Sequence, residues 1–323
     1  MPTPPESFST PVPSAHGGSG AEPPSFVRFR ATIAYDGAPF FGWQRQPSRP
    51  TVQGTLETAL ASLLGFAPPG GGSGAEPPSV CIPIHSCGRT DTGVHARAQV
   101  AHFDLPGGSG APPPSLALRP PEGRPSAGPW NAPALQKGLN PLLPPSIRIL
   151  SLRPVPPSFH ARYSARAKRY LYRIDNAPVP DPLLRHLALH VRAPLDLSAM
   201  RDAASALVGT HDFAAFSANP HRETAGTVRT IFSISVTRRA SLVTIAVTGN
   251  GFLYKMVRSI AGFLIRVGRH AIPPSEAPLI LDSRLRTARV ETAPPHGLLL
   301  DHIYYSPLSR FPPPAHPCPP SEP

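Results

Sequence analysis

The densest group of chemically active residue types lies at residues 87–96, which read CGRTDTGVHA. Two glycines in it, Gly88 and Gly93, permit tight turns and let a ligand approach the backbone closely. Asp91 carries the carboxylate of this segment, and Arg89 stands two residues before it. A cation that close favours the ionised carboxylate, which a nucleophile or a general base needs. Taken alone, the segment is equally compatible with a structural Asp–Arg pair in a turn.

This segment is one of several short blocks that follow each other along the chain. In order they are Tyr35-Asp36-Gly37, Phe41 to Gln46, residues 87–103, Gly138-Leu139-Asn140, Phe159 to Arg162, Lys168 to Tyr172, Gly209 to Phe213, Phe252 with Met256 to Arg258, and Gly297-Leu298. The run GRTDTGVHARAQVAHF resembles the catalytic motif of the TruA family of tRNA pseudouridine synthases. The other blocks resemble that family in the same order, and together they span nearly all of the proline-poor part of the chain.

The resemblance implies that Asp91 is the nucleophile that attacks a target uridine, so that the C1′–N1 bond breaks and C5 rejoins C1′. It leaves open whether the attack falls on C6 of the base or on C1′ of the sugar. One carboxylate suffices for this chemistry, whereas a glycosidase normally needs a second, paired acid. The base must also leave the helical stack, and the resemblance implies that Arg89 fills the space of the flipped nucleotide.

Three further residues match positions of the family's active site. Tyr170 corresponds to a tyrosine that stacks on the target base, with removal of the C5 proton as a second implied role; without the family it reads as an ordinary strand tyrosine. Arg258 lies within an apolar helix, where a cation needs a partner, and the resemblance makes Asp91 that partner. The alternative is a side chain that reaches solvent at the edge of the helix. Leu298 matches an apolar residue of the uracil pocket, or is a plain core leucine.

The chain is basic, with 31 Lys and Arg against 19 Asp and Glu and a net charge of +12. Such an excess favours a polyanionic partner through counterion release and electrostatic steering. A local basic run precedes Tyr170 and consists of Arg162, Arg166, Lys168 and Arg169. We expect this run to contact the RNA backbone; the alternative is a solvated strand edge.

Nothing in the sequence indicates a metal or a cofactor, and the resemblance requires neither. The three cysteines form no C-x-x-C pair, and the histidines have no metal-binding spacing such as H-x-x-x-H. The histidines considered for this purpose are His95, His102, His160 and His211. No apolar run is long enough to cross a bilayer, and the N-terminus has no charged region followed by an apolar stretch. We therefore expect a cytoplasmic protein that needs no membrane, although an organellar location stays open.

Proline is concentrated in four stretches, at residues 1–25, 66–79, 105–130 and 308–323. Three near-copies of GGSGAEPPS in these stretches predict solvated segments that bury no apolar surface. We expect disordered tails at residues 1–25 and 308–323 and outward loops at the two internal stretches. The alternating and helical patterns between them predict an α+β fold. The resemblance implies two ferredoxin-like subdomains, residues 26–164 and 165–307, whose mixed or antiparallel sheets meet around a central cleft.

The pattern also predicts individual elements. Strands are expected at residues 26–35, 80–84, 99–103, 147–152, 168–174, 228–237, 242–248 and 297–304, and helices at residues 51–64, 133–142, 198–208 and 254–267. The resemblance implies that tRNA is the partner, that the protein is a homodimer, and that the targets are uridines at positions 38 to 40 of the anticodon arm. The competing hypotheses are a catalytically inactive RNA-binding protein and a hydrolase with an aspartate nucleophile. The first predicts loss of Asp91, Arg89 or Tyr170, all of which are present. The second, the hydrolase, would need a second carboxylate paired with Asp91, and residues 87–96 contain none.

Overall fold

The computed structural model describes residues 26–65, 82–107, 130–220 and 226–306. The predicted tails, residues 66–79 and most of residues 105–130 lie outside these ranges. Within them the elements are β1 (Phe26–Tyr35), α1 (Val52–Leu63), β2 (His85–Ser86), β3 (His95–Pro106), α2 (Ala132–Leu142), β4 (Ile147–Val155), β5 (Ala167–Asp175), β6 (Leu189–His190), α3 (Leu197–Ala206), β7 (Gly209–Asp212), β8 (Val228–Arg239), β9 (Leu242–Gly249), α4 (Met256–Gly268), α5 (Glu276–Ser283) and β10 (Leu298–Tyr304).

The described strands form one continuous sheet in the order β4-β1-β3-β10-β5-β9-β8-β7, with β2 paired to β3 and β6 paired to β5. The pairs are antiparallel except β3–β10 and β5–β6. Each half of the chain has the β-α-β-β-α-β element order of a ferredoxin-like unit, first β1-α1-β2-β3-α2-β4 and then β5-α3-β8-β9-α4-β10. The α+β class is confirmed. The sheets of the two halves are joined edge to edge by the β3–β10 pair.

The burial of β1 follows the alternation that predicted it. Phe29, Ala31, Ile33 and Tyr35 are buried, and the residues between them are partly exposed. Side chains of a strand point alternately to opposite faces, so one face of β1 packs into the core. Tyr35, the last residue of β1, lies on this buried face, and its hydroxyl contacts Thr90 next to Asp91.

Helix α4 is the most completely buried helix of the part that the structure describes. All its residues except Arg258 and Arg266 are buried, because it packs against α3 and β5. A Cβ at Gly262 would lie 2.1 Å from the carbonyl O of Glu291, so only glycine allows this loop to approach the helix. No helix within the described ranges is long and apolar enough to cross a membrane.

Two element predictions are wrong. The strand expected at residues 80–84 is absent from its described part, Ile82 to Ile84, because the amide of Ile84 donates to the carboxylate of Glu57 instead of a ladder partner (3.0 Å). The strand in this region is β2, immediately afterwards. The helix expected from residue 254 begins at Met256, since Lys255 has a left-handed backbone with φ 58°.

Candidate active site

Residues 87–94 form the loop that joins β2 to β3. Two side chains outside the loop fix its first turn. Gln99 Nε2 donates a hydrogen bond to the carbonyl O of Gly88 (2.8 Å), and Lys168 Nζ donates one to the carbonyl O of Cys87 (3.1 Å). Gln99 is fully buried, so its bond to the loop is shielded from water. The pairing of β2 with β3 ends at Ser86, and these two side-chain hydrogen bonds hold the backbone beyond that point. They therefore fix the course of the chain towards Asp91.

A second support comes from the segment that follows β1. The hydroxyl groups of Tyr35 and Thr90 lie 2.8 Å apart, and the amide of Trp43 donates to the carbonyl O of Thr90 (3.1 Å). Gly42 has φ +87°, and a Cβ there would lie 2.7 Å from that same carbonyl O. Burial raises the pKa of Tyr35 to about 12, so its hydroxyl stays protonated. The backbone next to Asp91 is therefore held from both sides.

The carboxylate of Asp91 is paired with Arg258 across the two halves of the chain. Arg258 Nη1 donates to Asp91 Oδ2 at 2.8 Å, and Arg258 Nε donates to the carbonyl O of Ala293 at 2.8 Å. The guanidinium is only 11% exposed, against 26% for the aspartate. The ion pair expected from the sequence is confirmed. Arg89, the basic residue nearest to Asp91 in sequence, is exposed and forms no ion pair within the described residues, so Arg258 is the cation that holds the carboxylate.

Asp91 opens into a cleft of about 1130 Å³. The residues expected at the site that line this cleft are Asp91, Arg89, Tyr170, Arg258, Leu298, Arg162 and Lys168. Six cationic side chains line it, and Asp91 is the one acidic residue in the wall among those that the structure describes. The cleft therefore combines a single carboxylate with a cationic surround, which suits a polyanionic substrate.

Tyr170 and Leu298 belong to the apolar part of the cleft wall. Tyr170 is 9% exposed and Leu298 6%. The ring of Phe252 meets that of Tyr170 edge to face, with 5.2 Å between centroids. Burial is the largest cause that raises the pKa of Tyr170, and the nearby charge of Asp91 adds to it. The hydroxyl of Tyr170 is therefore a neutral phenol across the physiological range.

The basic run before Tyr170 is divided between two surfaces. Arg162 and Lys168 line the cleft, whereas Arg166 and Arg169 do not. Successive residues of β5 point to opposite faces, and Arg169 Nε lies 3.6 Å from a carboxylate oxygen of Asp301 on the other face. Lys168 donates one hydrogen bond to the loop and also lines the cleft. The four basic residues therefore do not share one surface, and only Arg162 and Lys168 lie at the cleft.

The cleft also contains residues that sequence reasoning did not select. They are His85, Tyr163, Arg229, Tyr254 and Lys255, in addition to several glutamines. Two of them are aromatic residues that adjoin a basic residue in a loop, which is a pattern typical of nucleic-acid binding. That signal was available in the sequence. The placement of Arg229 on β8 gave no comparable signal.

The histidines do not form a metal site in the part of the chain that the structure describes, where no group of three possible ligands converges. His102 stacks on His85 with 5.1 Å between ring centroids, and His160 meets His102 edge to face at 4.6 Å. The pKa of His102 is lowered to about 4, chiefly by burial and then by His160, with Arg28 and His85 contributing. His95 accepts a hydrogen bond from a backbone amide, and His211 contacts a backbone carbonyl.

Comparison with known proteins gives a consistent result. The sequence profile of the tRNA pseudouridine synthase family matches residues 31–164 and 203–306. The tRNA pseudouridine synthase A of Frankia casuarinae is 41% identical over 283 residues, which cover 87% of this chain and 90% of that protein. The protein of the same name from Syntrophotalea carbinolica is 41% identical over 278 residues, covering 86% and 96%.

A third relative, the tRNA pseudouridine synthase A of Bacillus subtilis, is 40% identical over 279 residues, or 86% of this chain and 99% of that protein. The profile match includes the loop with Asp91 and the helix with Arg258, which meet in the cleft. The chain therefore belongs to the tRNA pseudouridine synthase family, whose members are isomerases that convert uridine to pseudouridine.

Proposed function

We propose that this protein converts uridine to pseudouridine at positions 38 to 40 of the tRNA anticodon arm, with Asp91 as the nucleophile. One observation carries the proposal. The carboxylate of Asp91 faces the cleft with one oxygen, Oδ2, held by Arg258, while Oδ1 has no hydrogen bond within the described residues. A carboxylate that is oriented at one oxygen and open at the other is suited to attack a bound electrophile.

The reaction is an isomerisation and balances without a cofactor. The C1′–N1 bond breaks, the uracil turns, and a C1′–C5 bond forms; C5 loses its proton and N1 gains one. Asp91 holds the reacting fragment during the turn through a bond to C1′ or to C6, and both routes agree with the geometry of its free oxygen. Arg258 keeps the carboxylate in place and offsets its charge.

Tyr170 and Leu298 supply surfaces for the uracil ring. An aromatic ring that stacks on a base contributes roughly 1–3 kcal/mol. The raised pKa of Tyr170 supports this stacking role and counts against the second implied role, because a phenol that is hard to ionise is a poor base for the C5 proton. We therefore assign Tyr170 to positioning the ring.

Arg89 is suited to occupy the space that the flipped nucleotide vacates. Its side chain is exposed at the cleft and forms no ion pair within the described ranges. Flipping costs a few kcal/mol because the base loses its stacking partners. A cation inserted at that point offsets part of this cost through contacts with the surrounding phosphates.

The proposal includes tRNA as the partner, a homodimer as the working form, and the cytoplasm as the place of action. The net charge of +12 and the cationic lining of the cleft support the polyanionic partner. It also includes a division into subdomains at residues 26–164 and 165–307, which the repeated ferredoxin-like order of the two halves supports. The homodimer and the location rest on the family resemblance.

The test is tritium release from tRNA that carries [5-³H]uridine, measured for the wild type and for Asp91→Asn. We expect release by the wild type and a loss on the order of 10⁴-fold or more in the variant, as for other nucleophile deletions. Replacing uridine by cytidine at positions 38 to 40 of the tRNA should abolish the release. Asp301→Asn is the matched control, because Asp301 is a partly buried, ion-paired carboxylate outside the cleft.

Release that persists in Asp91→Asn would refute the assignment of the nucleophile. Release that persists after the cytidine replacements would refute the target positions. If the wild type binds tRNA without releasing tritium, the protein is an RNA-binding member of the family rather than an enzyme.

A further inference from the structure

The cleft extends beyond Asp91 to an exposed aromatic ring. Its volume of about 1130 Å³ is above the range of roughly 300–1,000 Å³ that small-molecule sites occupy, so it has room for more than one nucleotide. Tyr163 lines this extension and is 79% exposed, more than any other Phe, Tyr or Trp that the structure describes. A tyrosine that is this exposed adds little to the core, and its place in a cationic cleft leaves its ring accessible to a ligand.

The ring of Tyr163 is supported from below by a stack of histidines. Its centroid lies 4.3 Å from that of His160 with 35° between the planes, and His160 rests on the buried ring of His102. Burial lowers the pKa of both His102 and His160, so the stack stays uncharged near neutral pH and its rings do not repel each other. Tyr163 is therefore the outer end of a series of ring contacts, tilted at His160 and edge to face at His102, that reaches into the core.

The backbone under this ring is also fixed. The amides of Arg162 and Tyr163 donate to His160 Nδ1 (3.1 and 3.3 Å), and the amide of Ala161 donates to His102 Nδ1 (3.2 Å). Tyr305 Oη donates to the carbonyl O of Ala161 (2.7 Å). The position of the exposed ring is thus set before any ligand arrives, which reduces the entropy lost on binding.

A cation stands beside the ring. The guanidinium carbon of Arg162 lies 5.9 Å from the centroid of Tyr163, and both side chains face the cleft. Aromatic rings that receive bases and neighbouring cations that receive phosphates are the two components of single-stranded nucleic-acid sites. Here both occur on adjacent residues.

We propose that Tyr163, supported by His160 and accompanied by Arg162, is a second nucleotide subsite, where an unpaired base next to the target uridine stacks on Tyr163. This inference rests on the proposed function, since it takes the ligand to be RNA. The subsite holds a neighbouring base after the target has been flipped out. It thereby favours substrates in which that neighbour is unpaired, as in a loop, over a continuous duplex.

The test uses an anticodon-arm RNA with 2-aminopurine at each position flanking the target in turn. Binding is followed by the fluorescence of 2-aminopurine, which is quenched when the base stacks on an aromatic ring. The protein carries Asp91→Asn, so that the RNA is bound without being turned over. At one flanking position we expect quenching with Tyr163 intact, equal quenching with Tyr163→Phe, and loss of quenching with Tyr163→Ala.

With otherwise wild-type protein, Tyr163→Ala should raise the Kd for the RNA about fivefold or more, while Tyr163→Phe stays within about twofold. The melting temperature should not change, because the ring is exposed. Phe26→Ala is the matched control, since Phe26 is an exposed ring with Arg28 at 5.3 Å that does not line the cleft. Its Kd should equal that of the wild type.

Quenching that survives Tyr163→Ala at every position, or equal loss in Tyr163→Phe and Tyr163→Ala, would overturn the subsite. Failure of the proposed function is seen separately as an absence of tritium release. If the wild type lacks release while the quenching depends on Tyr163, the subsite stands and the enzymatic assignment fails.

Discussion

The two halves of the sheet share one topology and differ in the connection between their second and third strands. In the C-terminal half, β8 and β9 are joined by a tight turn in which Ala240 has φ 52°. In the N-terminal half, the corresponding strands β2 and β3 are joined by the loop of residues 87–94, which carries Asp91. The loop that carries Asp91 thus occupies the place of an ordinary hairpin turn.

The difference between the connections changes where the backbone finds its hydrogen bonds. Strand β8 pairs with β9 up to Arg239↔Leu242, whereas β2 has two residues and its ladder with β3 ends near Ser86↔Ala101. Backbone groups that leave a ladder need other partners. In the N-terminal half, the side chains of Gln99 and Lys168 donate to two carbonyl groups of the loop, and the backbone amide of Trp43 donates to a third. Side-chain hydrogen bonds to the backbone therefore allow this connection to be longer than a hairpin turn and to present Asp91 to the cleft.

Neither half is complete as a site. The parallel pair β3–β10, with Leu299 opposite His95, joins the halves directly after the loop of residues 87–94. Arg258, in the first turn of α4, reaches Asp91 across this junction. The N-terminal half therefore supplies the carboxylate of Asp91, and the C-terminal half supplies the cation that holds it.

The largest effect should come from breaking the ion pair that joins the halves. Arg258→Ala leaves Asp91 without its partner, and removal of one member of a buried pair costs about 3–5 kcal/mol. We expect a lower free energy of urea unfolding and a fall of at least about a hundredfold in kcat. Arg258→Lys should recover only part of the lost stability and kcat, since one ammonium group replaces a guanidinium that donates two directed hydrogen bonds, to Asp91 and to Ala293.

The control for this prediction is Arg266→Ala, because Arg266 is the other residue of α4 that is not buried. Its kcat should stay within about twofold of the wild type, as is usual for surface substitutions. Equal kcat values for Arg258→Ala and Arg266→Ala would mean that the ion pair does not serve catalysis.

A smaller effect is expected from one backbone substitution made in each half. Gly42 (φ +87°) and Gly226 (φ +74°) both adopt a conformation that favours glycine, but only Gly42 has neighbours where a Cβ would lie. Gly226→Ala should cost about 1 kcal/mol of unfolding free energy for the strained backbone. Gly42→Ala should cost about 2–3 kcal/mol, since overpacking is added to the strain. It should also lower kcat, because it displaces Thr90 beside Asp91.

Urea unfolding and single-turnover tritium release measure the two consequences separately. If both alanine variants lose the same stability and keep the same kcat, the contact between Gly42 and the catalytic loop has no functional role.

The sequence was sufficient for most of the fold and for the central ion pair. Alternation predicted β1 and helical periodicity predicted α1, because each of them buries one face. The elements β5 and α4 were also predicted, although the structure buries them on more than one side. The pairing of Asp91 with Arg258 was predictable although 167 residues separate them, since a cation in an apolar helix needs a partner. The family resemblance named that partner.

The features that the sequence did not predict depend on contacts between segments that are distant along the chain. The strand expected at residues 80–84 failed because Glu57, on α1, takes the amide of Ile84. Arg89 is the basic residue nearest to Asp91 along the chain, although a spatial neighbour, Arg258, holds the carboxylate. Lys168 and Arg169 looked alike in a basic run, yet the strand turns them to opposite faces. Local spacing carries no information on these choices.

The last prediction is a pH dependence that arises in the N-terminal half, at His102. The pKa of His102 falls from 6.5 to about 4 on folding, chiefly through burial, with His160, Arg28 and His85 lowering it and Asp104 raising it. Below pH 6.5 the unfolded chain binds a proton that the folded chain does not. Stability is therefore unaffected above pH 6.5 and decreases as the pH falls from 6.5 towards 4.

At pH 5 the loss attributable to His102 is about 2 kcal/mol relative to pH 7.5. The measurement is urea unfolding at the two pH values, followed by the fluorescence of Trp43 and Trp130, which both lie in the N-terminal half. His102→Gln keeps an acceptor for the amide of Ala161 but cannot titrate, so the difference between the two pH values should shrink by that amount. If the pH dependence is the same in wild type and in His102→Gln, the titration of His102 is not the source of the acid sensitivity, and the coupling of its burial to stability fails with it.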